Sequence, residues 1–93
     1  MSTDRFSNVW DAIEDTPAQA ENMKLRSTLM MALKDHIAGE GLSQAQAAKK
    51  LGVTQPRISD LMRGKIDLFG LDTLVNMLSA AGLQIEMSVR KAA

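Results

Sequence analysis

The sequence predicts a mainly α-helical domain of four to five helices that ends in a single β-strand. Apolar residues recur at helical spacing over most of the chain, and glycines end the separate runs of this spacing. Apolar and polar residues alternate cleanly only over residues 84–90, which is the pattern of a strand. The length of 93 residues suits one domain. We therefore expect an amino-terminal arm over residues 1–15 and a helical domain over residues 16–93.

Composition excludes several classes of protein and site. The chain has no cysteine, so it has neither a disulfide framework nor a thiolate metal site, and its single histidine, His36, has no partner for a metal site. The longest apolar run, residues 29–33, is far too short to cross a membrane, and the amino terminus lacks the pattern of a signal peptide. We expect a cytoplasmic protein that needs no cofactor and has no membrane partner.

The arm over residues 1–15 has no sustained helical or strand period, but it carries four large apolar residues. Two interpretations are open. Trp10 folds back onto the first helix from a partly disordered terminus, or the arm anchors another protein, because aromatic residues are enriched in interface cores. The candidate partner-binding residues are Phe6, Val9, Trp10 and Ile13.

The first helix begins after Thr16, since Thr at the cap, Pro17 at the first helical position and Gln19 at the third form a strong start signal. Gly39 and Gly41 end the helical pattern. The predicted apolar stripe consists of Leu25, Leu29, Ala32, Leu33 and Ile37, with Met23 and Met30 beside it.

Two short helical patterns then meet across a glycine-centred turn, over residues 43–63. Ser43 caps the first pattern and can form a capping box with Gln46, and its apolar face is Ala47, Ala48 and Leu51. Gly52 follows where a helix needs a residue that tolerates positive φ, and small side chains at Ala48 and Gly52 are expected to let the helices cross closely. The second pattern, residues 54–63, opens with Thr54 as cap and turns Ile58, Leu61 and Met62 inward.

The outward residues of this second pattern suit contact with DNA. They include Gln, which can read adenine in the major groove, and Arg, which can read guanine. The segment from Lys49 to Lys65 contains five basic residues and one acidic residue. Its net charge of +4 favours binding to phosphate groups. The alternative is a helical hairpin whose polar face is only solvated. The residues expected to face outward are Gln55, Arg57, Ser59, Asp60 and Arg63.

A loop over residues 65–69 leads to a fourth helix, which Gly70 caps and Gly82 ends. Its predicted buried stripe is Leu71, Leu74, Val75, Leu78 and Ala81. The strand over residues 84–90 places Ile85, Met87 and Val89 on one side. A lone strand leaves its backbone groups unpaired, so we expect it to pair across a homodimer; the alternative partner is the segment 5–10. A dimer would present two reading helices about 34 Å apart to a palindromic operator.

Residues 42–64, LSQAQAAKKLGVTQPRISDLMRG, resemble the helix-turn-helix of the XRE (Cro/C1-type) regulators. The resemblance implies a lambda-repressor-like DNA-binding fold, in which residues at the start of both motif helices approach double-stranded DNA. At Pro56 only an apolar contact, such as one with a thymine methyl group, is available. Together with the flanking basic residues, the predicted DNA-binding residues are Gln44, Thr54, Gln55, Pro56, Arg57, Ser59, Arg63 and Lys65.

Over nearly its whole length the chain is similar to small XRE-type regulators grouped with HigA-like antitoxins. The resemblance implies a repressor of its own operon that pairs with a RelE-like toxin. Two alternatives remain: a repressor without a toxin, and a protein whose main role is to bind and inhibit the toxin. The sequence contains no catalytic motif, so we do not expect an enzyme.

Overall fold

The computed structural model describes residues 16–92 and confirms a mainly helical fold. Within this range four α-helices follow one another: α1 (Pro17–Gly39), α2 (Gln44–Leu51), α3 (Gln55–Met62) and α4 (Leu71–Ala80). A short 3-10 turn, Ile66–Leu68, lies between α3 and α4. Helix α1 packs mainly against α4 and α2 against α3, and α4 also contacts α2. The four helices therefore surround one core.

Helix α1 begins where the sequence predicts, with the amide of Gln19 donating to the Thr16 hydroxyl at 3.2 Å. Its first nine residues, 17–25, are exposed, and only its second half contributes to the core, through Met30, Leu33 and Ile37. The predicted stripe is wrong at Leu25 and Ala32, which are both exposed. The helix is longer than the core it covers, so apolar spacing alone could not locate the buried part.

Within residues 16–92 the core is aliphatic apart from one aromatic residue, Phe69. Its ring is fully buried, although the sequence suggested only a loop at this position. The 3-10 turn directs Phe69 inward, and its amide donates to the Ile66 carbonyl at 3.1 Å. In α4 the prediction is wrong at Val75, which is 42% exposed, while Met77 is buried in the core. The largest fully buried side chains are Phe69, Leu33, Ile58, Leu61 and Leu74.

The turn between α2 and α3 depends on Gly52. This residue has φ 70° and ψ 32°, the left-handed conformation that costs a non-glycine residue about 1–2 kcal/mol. The amides of Gly52 and Val53 both donate to the Ala48 carbonyl, the second at 3.0 Å, and Val53 packs against the core. A Cβ atom at Gly52 would meet nothing within 4 Å. The expectation that this glycine permits close helix crossing is therefore wrong, and the backbone conformation explains its presence.

The carboxyl-terminal strand predicted over residues 84–90 is not present in the single chain. Residues 83–92 have no regular secondary structure, and residues 84–92 make no backbone hydrogen bond to the rest of the described chain. The physical reason is that no other strand among residues 16–92 lies beside this segment to pair with its backbone groups. This segment, residues 84–92, is called the tail below. It runs beside the first half of α1, where Met87 and Val89 line a groove with Lys24 and Leu25.

Among residues 16–92, no helix has the length and apolar character that crossing a lipid bilayer requires.

We expect Gly52→Ala to lower the free energy of unfolding by about 1–2 kcal/mol, because alanine must adopt the left-handed conformation. Urea denaturation followed by circular dichroism would measure the change. The matched control is Gly39→Ala at the end of α1, where φ is not positive and space is open. An equal effect of the two substitutions would contradict the explanation.

Candidate nucleic-acid interface

Helix α3 is fixed to the core by two fully buried side chains, Ile58 and Leu61. Thr54 caps the helix, accepting a hydrogen bond from the Arg57 amide at 3.3 Å, and Pro56 occupies the first turn, where a missing amide costs little. Because successive residues are about 100° apart around a helix, the inward direction of Ile58 and Leu61 determines where every other side chain of α3 points.

The outer face of α3 follows from this rotation. Pro56 and Arg63 lie almost directly opposite the core, and both are exposed, as is Gln55. Ser59 and Asp60 lie on either side of this line and are half-buried. The face thus combines an amide, a hydroxyl, a carboxylate and a guanidinium, which are groups that can hydrogen-bond to base edges in the major groove.

The start of α2 is a second polar feature of the motif. Ser43 and Gln46 form the predicted capping box, with the Ser43 amide donating to Gln46 Oε1 at 2.8 Å and the Gln46 amide donating to Ser43 Oγ at 3.1 Å. Gln44 is the first residue of the helix and is exposed. The amino terminus of a helix carries partial positive charge, so this end of α2 favours a phosphate group.

Arg57 is held differently from the other outward residues. It is half-buried, and its guanidinium carbon lies 4.7 Å from the centroid of the Phe69 ring. At this distance the cation interacts favourably with the aromatic face. Helical spacing places Arg57 about 70° from the inward direction of α3, so its aliphatic stem lies along the flank of the helix. The side chain is a flank residue rather than one of the most outward ones.

Two basic residues in or next to the motif form ion pairs that are at least partly exposed to solvent. Lys65 Nζ lies 3.6 Å from Asp60 Oδ1, and Lys50 Nζ lies 3.4 Å from Glu40 Oε1. Such pairs contribute little to stability because solvent screens them, so either lysine can exchange its carboxylate for a phosphate at low cost. Within residues 16–92, Arg63 has no acidic partner.

Comparisons with known proteins give the family. Residues 12–90 match a family model described as a helix-turn-helix domain. The chain belongs to the helix-turn-helix family. A solved structure assigned to the XRE family of transcriptional regulators is similar to this chain, with 36% sequence identity and a TM-score of 0.72. The alignment covers 78% of this chain and 82% of that one. No curated protein matches the sequence.

These matches confirm the resemblance to XRE-type helix-turn-helix proteins that residues 42–64 suggest. The finer resemblance, to HigA-like antitoxins, stays a prediction. In this chain the motif has the predicted order: a capped helix, a turn at a glycine and a second capped helix.

The structure adds two residues that sequence reasoning did not connect with the motif. Lys34 of α1 lies beside the end of α3, with its Nζ atom 3.9 Å from where a Cβ atom of Gly64 would stand. The separation of 30 residues in sequence hid this proximity. The second residue is Phe69, beneath Arg57; the available signal was that Phe69 is the one aromatic residue of positions 16–93.

The predicted dimer residues of the tail are not brought to this surface, since the tail lies beside the first half of α1. On the tail, Ile85, Met87 and Val89 are 37%, 73% and 89% exposed. The candidate partner-binding residues Phe6, Val9, Trp10 and Ile13, and the alternative strand partner 5–10, lie outside the described residues. His36 is half-buried, and no cluster of metal-ligating side chains occurs within positions 16–92.

Proposed function

We propose that this helix-turn-helix protein is a sequence-specific, DNA-binding transcriptional regulator that represses its own operon. One observation carries the proposal: burial of Ile58 and Leu61 turns the polar face of α3 outward. Membership of the helix-turn-helix family and similarity to an XRE-type transcriptional regulator support it. Repression would follow from occupation of the operator, which excludes other proteins from the same DNA.

In this proposal α3 lies in the major groove with its first turn nearest the bases. Gln55 reads adenine and Arg57 reads guanine, while Pro56 offers apolar contact to a thymine methyl group. Ser59 lies one turn further along the same outer face, and Thr54 lies at the cap. Phosphates on the two sides of the groove are bound by the start of α2 at Gln44 and by the basic end of α3. The basic residues assigned to phosphate are Arg63 and Lys65.

The test is fluorescence anisotropy of the full chain with the DNA immediately upstream of its own gene, against a shuffled duplex, across a salt series. We expect the native duplex to bind about a thousandfold or more tightly than the shuffled one, with strong salt dependence. Arg57→Ala should cost about 1–3 kcal/mol on the native duplex and relax base preference. Lys65→Ala should weaken both duplexes alike and lower the salt slope.

The matched control is Asn76→Ala, which removes an exposed polar side chain of α4 outside the motif and outside the groove beside the tail. If Arg57→Ala and Lys65→Ala left affinity at the level of this control, the proposed docking of α3 would be wrong.

We further propose that the protein acts as a homodimer through its tail. The side chains of Met87 and Val89 are among the most exposed apolar groups of the described chain, and Leu25 beside them is 38% exposed. Antiparallel pairing of two copies of residues 84–90 would supply the partner that a single tail lacks and cover these side chains. A twofold dimer would also present two α3 helices to successive major grooves.

The alternation of apolar and polar residues along the tail allows a test of the proposed dimer. We expect Met87→Asp with Val89→Asp to convert a dimer into a monomer, because both carboxylates would be buried in the interface. Ser88→Asp, on the other side of the tail, is the matched control and should leave the dimer intact. Light scattering of the full chain measures the mass. A dimer that survives the double substitution, or deletion of residues 84–93, would rule out this interface.

A second candidate function is that of an antitoxin that binds a RelE-like ribonuclease toxin. It is favoured by the charge of the arm: four of the seven acidic residues in positions 1–42 fall within residues 1–15, beside Phe6 and Trp10. Helix α1 itself carries three basic and two acidic residues, so the net negative charge of positions 1–42 comes from the arm and not from α1.

If the antitoxin role is correct, a small basic protein encoded in the same operon will co-purify with the full chain and be lost when residues 1–15 are deleted. The deletion should leave DNA binding by residues 16–93 intact. The matched comparison is a full chain in which Phe6 and Trp10 are replaced by Ala. Retention of the basic protein by the chain lacking residues 1–15 would disprove a toxin site in the arm.

A further inference from the structure

The contact between Arg57 and Phe69 joins the outer surface of the motif to the centre of the core. The Phe69 ring is fully buried, whereas Arg57 is half-buried on the flank of α3. The guanidinium carbon stands 4.7 Å from the ring centroid. The side chain of Arg57, to which we assign a contact with DNA, therefore packs on the ring of Phe69, which DNA cannot reach.

The Phe69 ring is itself held firmly in place. Its side chain is fully buried among the α-helices, and its backbone amide is tied to the 3-10 turn through the Ile66 carbonyl. A close-packed core leaves a buried ring little freedom to change rotamer. The ring thus gives Arg57 a fixed platform whether or not DNA is bound.

Stacking on a ring leaves the hydrogen-bonding capacity of a guanidinium free. Its five N–H donors lie in the plane of the group, and contact with the aromatic face engages none of them. Among residues 16–92 the Arg57 side chain makes no hydrogen bond or ion pair. An arginine free in solvent must lose much rotamer freedom when it binds a base, whereas a stacked arginine has already lost part of it.

We propose that Phe69 is a positioning residue for DNA recognition, which acts by holding the Arg57 guanidinium in its binding orientation before DNA arrives. The inference rests on the proposed function, since it assigns Arg57 to the DNA contact. It predicts that the aromatic ring contributes to affinity and sequence preference without touching DNA, and that all of this contribution passes through Arg57.

A double-mutant cycle on the full chain tests this coupling, using anisotropy with the native upstream duplex and its shuffled control. Phe69→Leu keeps an apolar side chain but removes the ring. It should weaken binding of the native duplex by about three- to tenfold, the range expected when one long side chain must be ordered on binding instead of beforehand. It should weaken the shuffled duplex less. In an Arg57→Ala background, Phe69→Leu should have no further effect.

Leu33→Val is the matched control, because it truncates another fully buried core residue and involves no contact with a cation. It should lower stability while leaving the affinity of the folded protein unchanged. An equal loss of affinity from Phe69→Leu in the presence and absence of Arg57, or an equal loss from Leu33→Val, would show that Phe69 acts only through general core packing and would overturn the inference.

A second measurement does not require a folded variant. In the wild-type protein without DNA, ring current from Phe69 should move the NMR signals of the Arg57 Hδ and Hε protons upfield from those of Arg63, which stacks on no ring in the described chain. Signals at ordinary positions would overturn the inference. Wild-type protein that binds neither duplex would overturn the proposed function and this inference together, whereas normal discrimination by Phe69→Leu would overturn the inference alone.

Discussion

The interface depends on the burial of Ile58 and Leu61 in the core. These two side chains fix the rotation of α3 about its own axis, and each fully buried aliphatic side chain contributes about 1.5–3 kcal/mol relative to exposure. A helix of only eight residues has little stability of its own, so its position comes almost entirely from this packing. The polar outer face of α3 is thus a direct consequence of which residues face inward.

The other elements restrain α3 at its two ends. At its start, Gly52 and the Thr54 cap set the angle at which the chain leaves α2 and enters α3. Beyond its end, the 3-10 turn carries the chain back into the core at Phe69. Helix α1 contributes at this end too, where Arg26 donates weakly to the Ile66 carbonyl at 3.4 Å. The position of the motif's outer surface is therefore determined mostly by contacts on the core side of α3.

Local signals in the sequence were sufficient for much of this architecture. Caps at Thr16, Ser43 and Thr54 act over three residues, so their hydrogen bonds could be predicted from spacing alone, and the structure confirms all three. The burial of Phe69 could not be predicted in this way, because it depends on helices distant in sequence. The same holds for the flank position of Arg57, which the sequence suggested would point outward. The tail shows a further limit of prediction from sequence. Alternation of apolar and polar residues shows that a segment can form a strand, but whether it does so depends on a second strand with which it can pair.

The exposed start of α1 has a consequence for the energetics of the domain. Residues 17–25 keep their helical hydrogen bonds mainly through favourable intrinsic propensity, since Ala, Gln, Glu, Met, Lys and Leu are good helix formers and core contacts begin further along. Their amides should exchange with solvent through local fraying, long before the core opens. We therefore expect the two halves of this continuous helix to open as different cooperative units. A ligand that covered only this end would slow exchange there without raising the global unfolding temperature in proportion.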